Sequence, residues 1–226
     1  MRKRDLHIRA VIFDYGEVLC YPPTAEEIER MASIFEVSPE VFREFYDRSR
    51  LSYDRGDFTA ASYWSRFAEE FSATIGDAEL QQLRRWDVEM WSRTNSNMLA
   101  WLQAIYRTGV KTAILSNMPT DMVEHLRRDF AWLENFTCQT FSCELRTTKP
   151  DRAIYEHCLG CLDVAPGDAL FIDDREVNVQ GARALGINAI RFESTAQLTT
   201  EIKALQLAAP LPFPEAVGCF TATGKT

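Results

Sequence analysis

Asp14 closes a short apolar run, Val11-Ile12-Phe13-Asp14, and Gly16 follows two positions later. A glycine there lets the chain turn sharply while the carboxylate projects from the end of a strand. An aspartate so placed can attack phosphorus and form an aspartyl-phosphate; taken alone it could equally be a strand-end cap. Three further signals follow in order: Ile114-Leu115-Ser116-Asn117, Lys149-Pro150 and Phe171-Ile172-Asp173-Asp174. Ser116 and Asn117 offer a hydroxyl, an amide and backbone donors suited to phosphate oxygens. Lys149 adds a compensating point charge, and Pro150 behind it is expected to start a helix. Asp14, Asp173 and Asp174 would concentrate negative charge, and like charges at close range raise one another's pKa. A divalent cation relieves that conflict, and hard oxygen ligands favour Mg²⁺. Each signal is weak singly, since Ser-Asn is a common turn and a lone lysine is usually solvated. Their joint occurrence at successive strand ends outlines a phosphoryl-transfer site.

The elements that must position these residues can be read from apolar periodicity. Five β-rich runs stand out, at 10–14, 111–116, about 137–142, 169–173 and 188–192. Helical periodicity at 119–130, 151–162 and 176–185 separates the later ones, an alternation that predicts an α/β fold with a Rossmann-like parallel sheet. Gly109 and Gly186 fall where a left-handed residue would close a helix. Between about 22 and 95 strand signals vanish, and amphipathic segments near 25–35, 39–50, 60–72 and 78–92 predict a helical bundle. Thr24 with Glu27 reads as a capping box, Ser38-Pro39 places proline at the first helical position, and Thr59 and Asp77 are candidate N-caps. The aromatic stripe Phe42, Phe45, Tyr46, Tyr63, Trp64, Phe67 and Phe71 reads as bundle core. The expected division is a core of 1–20 and 96–207, a helical cap of 21–95, and a loose tail of 208–226. A helical insert directly after the first strand would stand over the strand ends where ligands of open sheets bind.

The 226 residues are 46% hydrophobic and carry a formal charge of −8, with a pI near 5.0. That acidic balance argues against a nucleic-acid footprint, which needs clustered Lys and Arg to neutralise phosphates, so no nucleic-acid partner is expected. Met1-Arg2-Lys3-Arg4 imitates the start of a secretion signal, but Asp5, His7, Arg9 and Asp14 interrupt the following apolar stretch. With no membrane-length apolar run either, the expectation is a cytoplasmic protein acting on a small molecule; the oligomeric state is not legible. Cys20, Cys138, Cys143, Cys158, Cys161 and Cys219 are irregularly spaced, which suits reduced thiols. A zinc site of Cys138, Cys143, Cys158 and Cys161 is the alternative, set against buried thiols because the first pair is too widely spaced.

The four ordered motifs resemble those of the haloacid dehalogenase-like hydrolase superfamily, with a helical cap inserted after the first strand. The resemblance extends to about residue 206. It implies Asp14 as nucleophile, Ser116 with Asn117 binding phosphate, Lys149 as the motif lysine, and Mg²⁺ held by Asp14, the Gly16 carbonyl and Asp174, with Asp173 as ligand or neighbour. Asn178, four residues after Asp174, stands where many relatives carry a supporting polar group. The implied reaction is Mg²⁺-dependent hydrolysis of a small phosphate monoester.

Gly16 departs from the usual pattern, in which a second aspartate two residues after the nucleophile protonates the leaving oxygen. Glu17 is the nearest substitute in the chain, though one residue further along the turn. Some sugar-phosphate phosphatases of the superfamily resemble this chain in having glycine there, so a sugar phosphate is among the expected substrates. Haloacid dehalogenases also lack the second acid and attack carbon without metal, but lack the acid pair seen at Asp173-Asp174. A third reading is a binding or regulatory protein with weakened turnover on the same scaffold. Substrate choice is expected to lie in the cap, where the Tyr53-Asp54-Arg55-Gly56-Asp57 turn offers Arg55 as an inward-reaching candidate, with a solvated loop as the alternative.

Overall fold

The computed structural model describes residues 6–205 and 207–214. The basic start Met1-Arg2-Lys3-Arg4 and residues 215–226, including Cys219, lie outside the described residues. Five parallel strands form one sheet: β1 (Ala10–Phe13), β2 (Lys111–Ser116), β3 (Cys138–Phe141), β4 (Ala169–Asp173) and β5 (Asn188–Arg191), in the order β3-β2-β1-β4-β5. Alternation along each strand divides its residues between two buried faces. Val11, Phe13, Ile114, Leu170 and Ile172 join one apolar cluster, while Ala10, Ile12, Ala113, Leu115, Ala169 and Phe171 join the other. Helices α5 (Ser96–Tyr106), α6 (Thr120–Asp129) and α10 (Thr195–Ala204) supply the first cluster, and α8 (Arg152–Leu162) and α9 (Glu176–Ala184) the second. A one-turn helix, α7 (Ser142–Leu145), follows β3. This is the expected α/β architecture with a Rossmann-like parallel sheet.

Chain order makes the sheet useful. β1 lies at its centre, and the chain passes to β2 and β3 on one side before crossing to β4 and β5 on the other. Phe13 pairs in register with both Ile114 and Ile172, so Asp14 and Asp173, one residue beyond, and Ser116, two beyond, emerge together at the carboxyl edge, where open α/β sheets bind ligands.

The insert comprises α1 (Ala25–Ser33), α2 (Pro39–Asp54), α3 (Ala60–Glu70) and α4 (Asp77–Met90), around an apolar cluster of its own. The aromatic stripe fills that cluster: the Phe67 ring lies 4.6 Å from Phe45 and 5.4 Å from Phe42. Thr24 and Glu27 form the capping box, and Ser38 and Thr59 are N-caps as their sequences suggest. At α4, however, Gly76 rather than Asp77 is the N-cap, because Glu79 reaches back to accept the Gly76 N–H at 2.9 Å. The two connections to the sheet run side by side, with the Tyr21 N–H donating to Arg93 O at 2.7 Å and the Asn95 N–H to Leu19 O at 2.8 Å.

Three expectations change. Residues 207–214 are anchored: Leu207 bridges to Leu6, Leu211 is buried, and Trp101 Nε1 donates to Pro212 O at 2.6 Å. Cys138 and Cys161 form a disulfide, so these two are not reduced thiols and the four-thiolate zinc alternative falls; packing of α8 against β3 brings their Cα atoms to 6.0 Å across 23 residues, a proximity that spacing does not reveal. Finally, Pro150 does not start α8; it precedes the N-cap Asp151 and follows a cis peptide bond.

Candidate active site

The strand ends open on a cavity of about 370 Å³ lined by Asp14, Gly16, Glu17, Ser116, Asn117, Lys149, Asp174 and Asn178 from the sheet side. Lys149 is its electrostatic centre. Its ammonium is buried, 2.8 Å from Asp14 Oδ1 and 2.7 Å from Asp173 Oδ2. Asp14 Oδ1 also accepts the Tyr15 N–H at 2.6 Å, which leaves Oδ2 as the oxygen without a partner among the described residues. Ser116 ends β2 with a hydroxyl that forms no hydrogen bond among the described residues, and it lines the same cavity.

The side chain of Asn117 sits differently from expectation, and for Asp173 the hydrogen bonds separate the two alternatives. Asn117 was expected to hold phosphate, yet its Oδ1 accepts the Lys149 N–H at 2.8 Å and its Nδ2 donates to Lys149 O at 3.0 Å. Both halves of its amide hold the lysine backbone, so it positions Lys149 rather than offering its side chain to a ligand. Asp173 is fully buried, and both its oxygens are occupied: Oδ1 by the Arg175 N–H and Asn178 Nδ2, Oδ2 by Lys149 and Asn178 Nδ2. It does not line the cavity. Of the two alternatives for Asp173, neighbour fits better than ligand, because saturated oxygens have nothing left to offer a cation.

Asp14, Asp173 and Asp174 each place one oxygen within 4.8 Å of the others. Three acids therefore cluster where one ammonium pairs with two of them. Burial pushes the Asp14 pKa up, Lys149 pulls it down, and the charges of Asp173 and Asp174 push it up again. Burial raises Asp174 to about 6, with help from Asp173 and Glu17 and opposition from Lys149. Lys149 stays charged, since the attraction of Asp14 and Asp173 outweighs its own desolvation. The cluster has room for one more positive charge. Asn178 Oδ1 is buried beside these acids without a partner among the described residues, and a donor such as a water bound to a cation would satisfy it. Asp14, Asp174 and the Gly16 backbone are the groups left to hold such an ion, so the residues present fit Mg²⁺.

Glu17 adopts a left-handed backbone with φ of 55° and is exposed. Its charge acts on Asp174. Arg55 is not inward-reaching: it pairs with Asp57 in solvent, Nε to Oδ2 at 2.9 Å. The insert instead contributes Arg43, Tyr46, Asp47, Arg50, Asp54 and Trp91 to the cavity, opposite the sheet, and Met118 and Met122 add an apolar wall. A largely half-buried chain of hydrogen bonds organises this side. Tyr15 Oη donates to Trp91 O at 2.6 Å, Trp91 Nε1 to Tyr46 Oη at 3.0 Å, and Tyr46 Oη to Asp87 Oδ1 at 2.7 Å. Arg50 then joins Asp87 at 2.7 Å to Asp54 at 2.8 Å. Asp54 belongs to the turn that the sequence offered as inward-reaching and Tyr46 was placed in the bundle core, but Arg43, Asp47, Arg50 and Trp91 were missed, although Phe42, Tyr46, Arg50 and Asp54 recur every four residues along α2. Charged groups continuing an apolar stripe were the available signal.

The pattern that defines haloacid dehalogenase-like hydrolases matches residues 8–186. The chain belongs to the haloacid dehalogenase-like hydrolase family. Among curated relatives, a sesquiterpene phosphatase of Aspergillus oryzae is 26% identical over 87% of this chain and 96% of its own length. Acyl-CoA dehydrogenase family member 10 of mouse is also 26% identical over 87% of this chain, which spans only 19% of that protein. Among solved structures, a HAD family enzyme from Bacteroides thetaiotaomicron, determined with magnesium and inorganic phosphate, superimposes with a TM-score of 0.69 at 21% identity, covering 84% of this chain and 98% of that one. The L-2-haloacid dehalogenase of Xanthobacter autotrophicus superimposes at 0.60 with 20% identity, over 87% and 83%. At these identities the structural likeness establishes the shared fold. No helix among the described residues is long and apolar enough to cross a membrane.

Proposed function

We propose that this hydrolase is a Mg²⁺-dependent phosphatase of small phosphate monoesters, sugar phosphates among them, working through an aspartyl-phosphate on Asp14. One observation carries the reading: Asp14, Asp173 and Asp174 bring carboxylate oxygens within 4.8 Å of one another, and the Lys149 ammonium pairs with the first two. An excess of clustered acids is costly unless a cation offsets it, and a cation held there leaves coordination positions for a phosphate oxygen. A haloacid carboxylate attacked without metal would leave that excess uncompensated. The phosphatase relative and the magnesium and phosphate in a solved neighbour favour the same choice.

In this mechanism the phosphoryl group lies over Asp14, and the carboxylate Oδ2 attacks phosphorus in line with the departing oxygen. Lys149 neutralises charge on Asp14 and on the transferring oxygens, while Ser116 Oγ donates to one of them. Asp173 and Asn178 keep the lysine and the acid edge in place. Magnesium, when bound by Asp14, Asp174 and the Gly16 carbonyl, supplies charge neutralisation for the transferring group. Water then hydrolyses the aspartyl-phosphate and restores Asp14. The insert, walling the far side of the cavity, acts as the cap that meets the remainder of the substrate.

The test is turnover of a panel of sugar phosphates, nucleotides and simple phosphomonoesters with Mg²⁺ and with EDTA, alongside Asp14→Asn. Metal-dependent release of phosphate that disappears in a folded Asp14→Asn protein supports the reading. Turnover of a 2-haloacid in EDTA, or full phosphatase activity in the variant, would falsify it; a folded protein that binds phosphate esters without hydrolysing them would point to the regulatory alternative.

A further inference from the structure

With glycine at position 16, the proposed phosphatase reaction lacks the usual group that protonates the leaving oxygen. In-line attack by Asp14 puts that oxygen on the far side of phosphorus, in the half of the cavity walled by Arg43, Tyr46, Asp47, Arg50, Asp54 and Trp91. An arginine does not release a proton at neutral pH. The Tyr46 hydroxyl already donates to Asp87, and burial holds its pKa well above the ordinary value. Asp47 is 59% exposed and paired with Arg43 at 3.0 Å.

Asp54 differs from all of these. It is 7% exposed, lines the cavity, and uses only Oδ1 among the described residues, accepting from Arg50 Nε at 2.8 Å. Its other oxygen is available to a ligand. Its backbone is tied to the phosphate-binding edge: Ser142 Oγ donates to Asp54 O and accepts the Met118 N–H at 3.0 Å, two residues beyond Ser116. The main chain at Asp54 is thus tied to that edge, Arg50 orients the carboxyl, and Asp54 lines the same cavity as the nucleophile. Burial raises its pKa to about 6, Arg50 opposing and Asp87 assisting, with Arg175 of the β4–α9 loop also lowering it. Tyr63 of α3 and Cys143 of α7 are the other titratable groups within its field. A carboxyl in that range both gives and takes a proton near neutrality.

We infer that Asp54, supplied by the insert, is the general acid and base of the reaction, taking the role that Gly16 leaves open. The assignment rests on the phosphatase reading. In the first step the P–O bond to the leaving group breaks as the Asp14 Oδ2–P bond forms; the electron pair goes to the leaving oxygen, which takes the proton from Asp54 and departs as an alcohol. In the second, the Asp54 carboxylate takes a proton from water as the water oxygen bonds to phosphorus. The Asp14–P bond then breaks, releasing phosphate with Asp14 as carboxylate and Asp54 protonated again.

The test compares kcat/KM, which reads the first step, for p-nitrophenyl phosphate, phenyl phosphate and glycerol 3-phosphate. An alkyl leaving group needs the proton and p-nitrophenolate does not. Asp54→Asn should lose roughly 100-fold on glycerol 3-phosphate, a loss at least ~10-fold greater than on p-nitrophenyl phosphate, and its kcat/KM for the alkyl ester should lose the decline above about pH 6. Equal loss on every ester, or leaving-group-dependent loss in Glu17→Gln instead, overturns the assignment. Should Asp54→Asn not fold, the wild-type dependence on leaving-group pKa decides: shallow with an internal proton donor, steep without one. Hydrolysis of p-nitrophenyl phosphate that survives Asp14→Asn would sink the phosphatase reading itself, whereas uniform loss in Asp54→Asn sinks only the role of Asp54.

Discussion

Asn117 grips Lys149 by both polar groups of its backbone, accepting the N–H at 2.8 Å and donating to the carbonyl at 3.0 Å. A buried ammonium between two acids must be held from outside the acid pair, and this side chain does so across 32 residues of sequence. Asn117→Ala would leave two largely buried backbone groups unpaired, at about 1–3 kcal/mol. The expected result is a lower Tm together with a fall in kcat larger than any rise in KM. An unchanged kcat would show that Lys149 does not depend on the clamp.

Gly181 on α9 supports the same lysine from behind. A Cβ there would lie 2.9 Å from Pro150 Cβ and 3.1 Å from both Pro150 O and Tyr155 Oη. Gly181→Ala must push the residue that follows Lys149, and we expect about 1–3 kcal/mol of destabilisation with reduced turnover. Chemical denaturation and steady-state kinetics on one preparation check both, and a neutral variant would mean the helix shifts freely.

Position 16 is open rather than sterically barred. Its Cβ would meet only Trp91 Cζ3, at 3.8 Å, and its backbone is not in the left-handed region. Gly16→Asp should fold and change turnover several-fold. In the Asp54→Asn background it should restore at least part of the lost activity on alkyl phosphates, because the carboxyl returns on the other side of the leaving group. Failure to restore any activity would show that Asp54 and a residue at 16 do not share a task.

Metal and pH act together at the acid edge. Burial raises Asp14 and Asp174, the latter to about 6, so between the ordinary value of 3.8 and that range the folded chain binds more protons than the unfolded one. Stability of the metal-free protein therefore falls as pH rises through this window. Asp54 adds the same slope without any dependence on metal. Mg²⁺ favours the ionised acids, so the Tm gain it brings should be larger at pH 8 than at pH 5 and should shrink in Asp174→Asn. Thermal melts at the two pH values with Mg²⁺ and with EDTA measure it, and a gain independent of pH would count against binding at these acids.

The sheet was legible in the sequence because each strand is buried on both faces, and such runs as Ala10–Phe13 and Ala169–Asp173 are apolar throughout up to the acid that follows or ends them. The helix starts were legible where a side chain caps its own helix, as at Thr24 and Ser38, and misread where a later residue reaches back, as Glu79 does to Gly76. The Cys138–Cys161 bond and the burial of Leu211 were hidden for another reason: each depends on which element packs against which.

What the sequence by itself determined was the set of residues at the strand ends, since local pattern decides where a strand stops and which side chain stands there. The tertiary structure decided how those side chains divide the work. Only packing could reveal that Asn117 and Asp173 are occupied in holding Lys149, and that α2 turns Tyr46, Arg50 and Asp54 towards Asp14. Hydrogen-bond saturation and burial are properties of neighbours in space, and these neighbours come from distant parts of the chain.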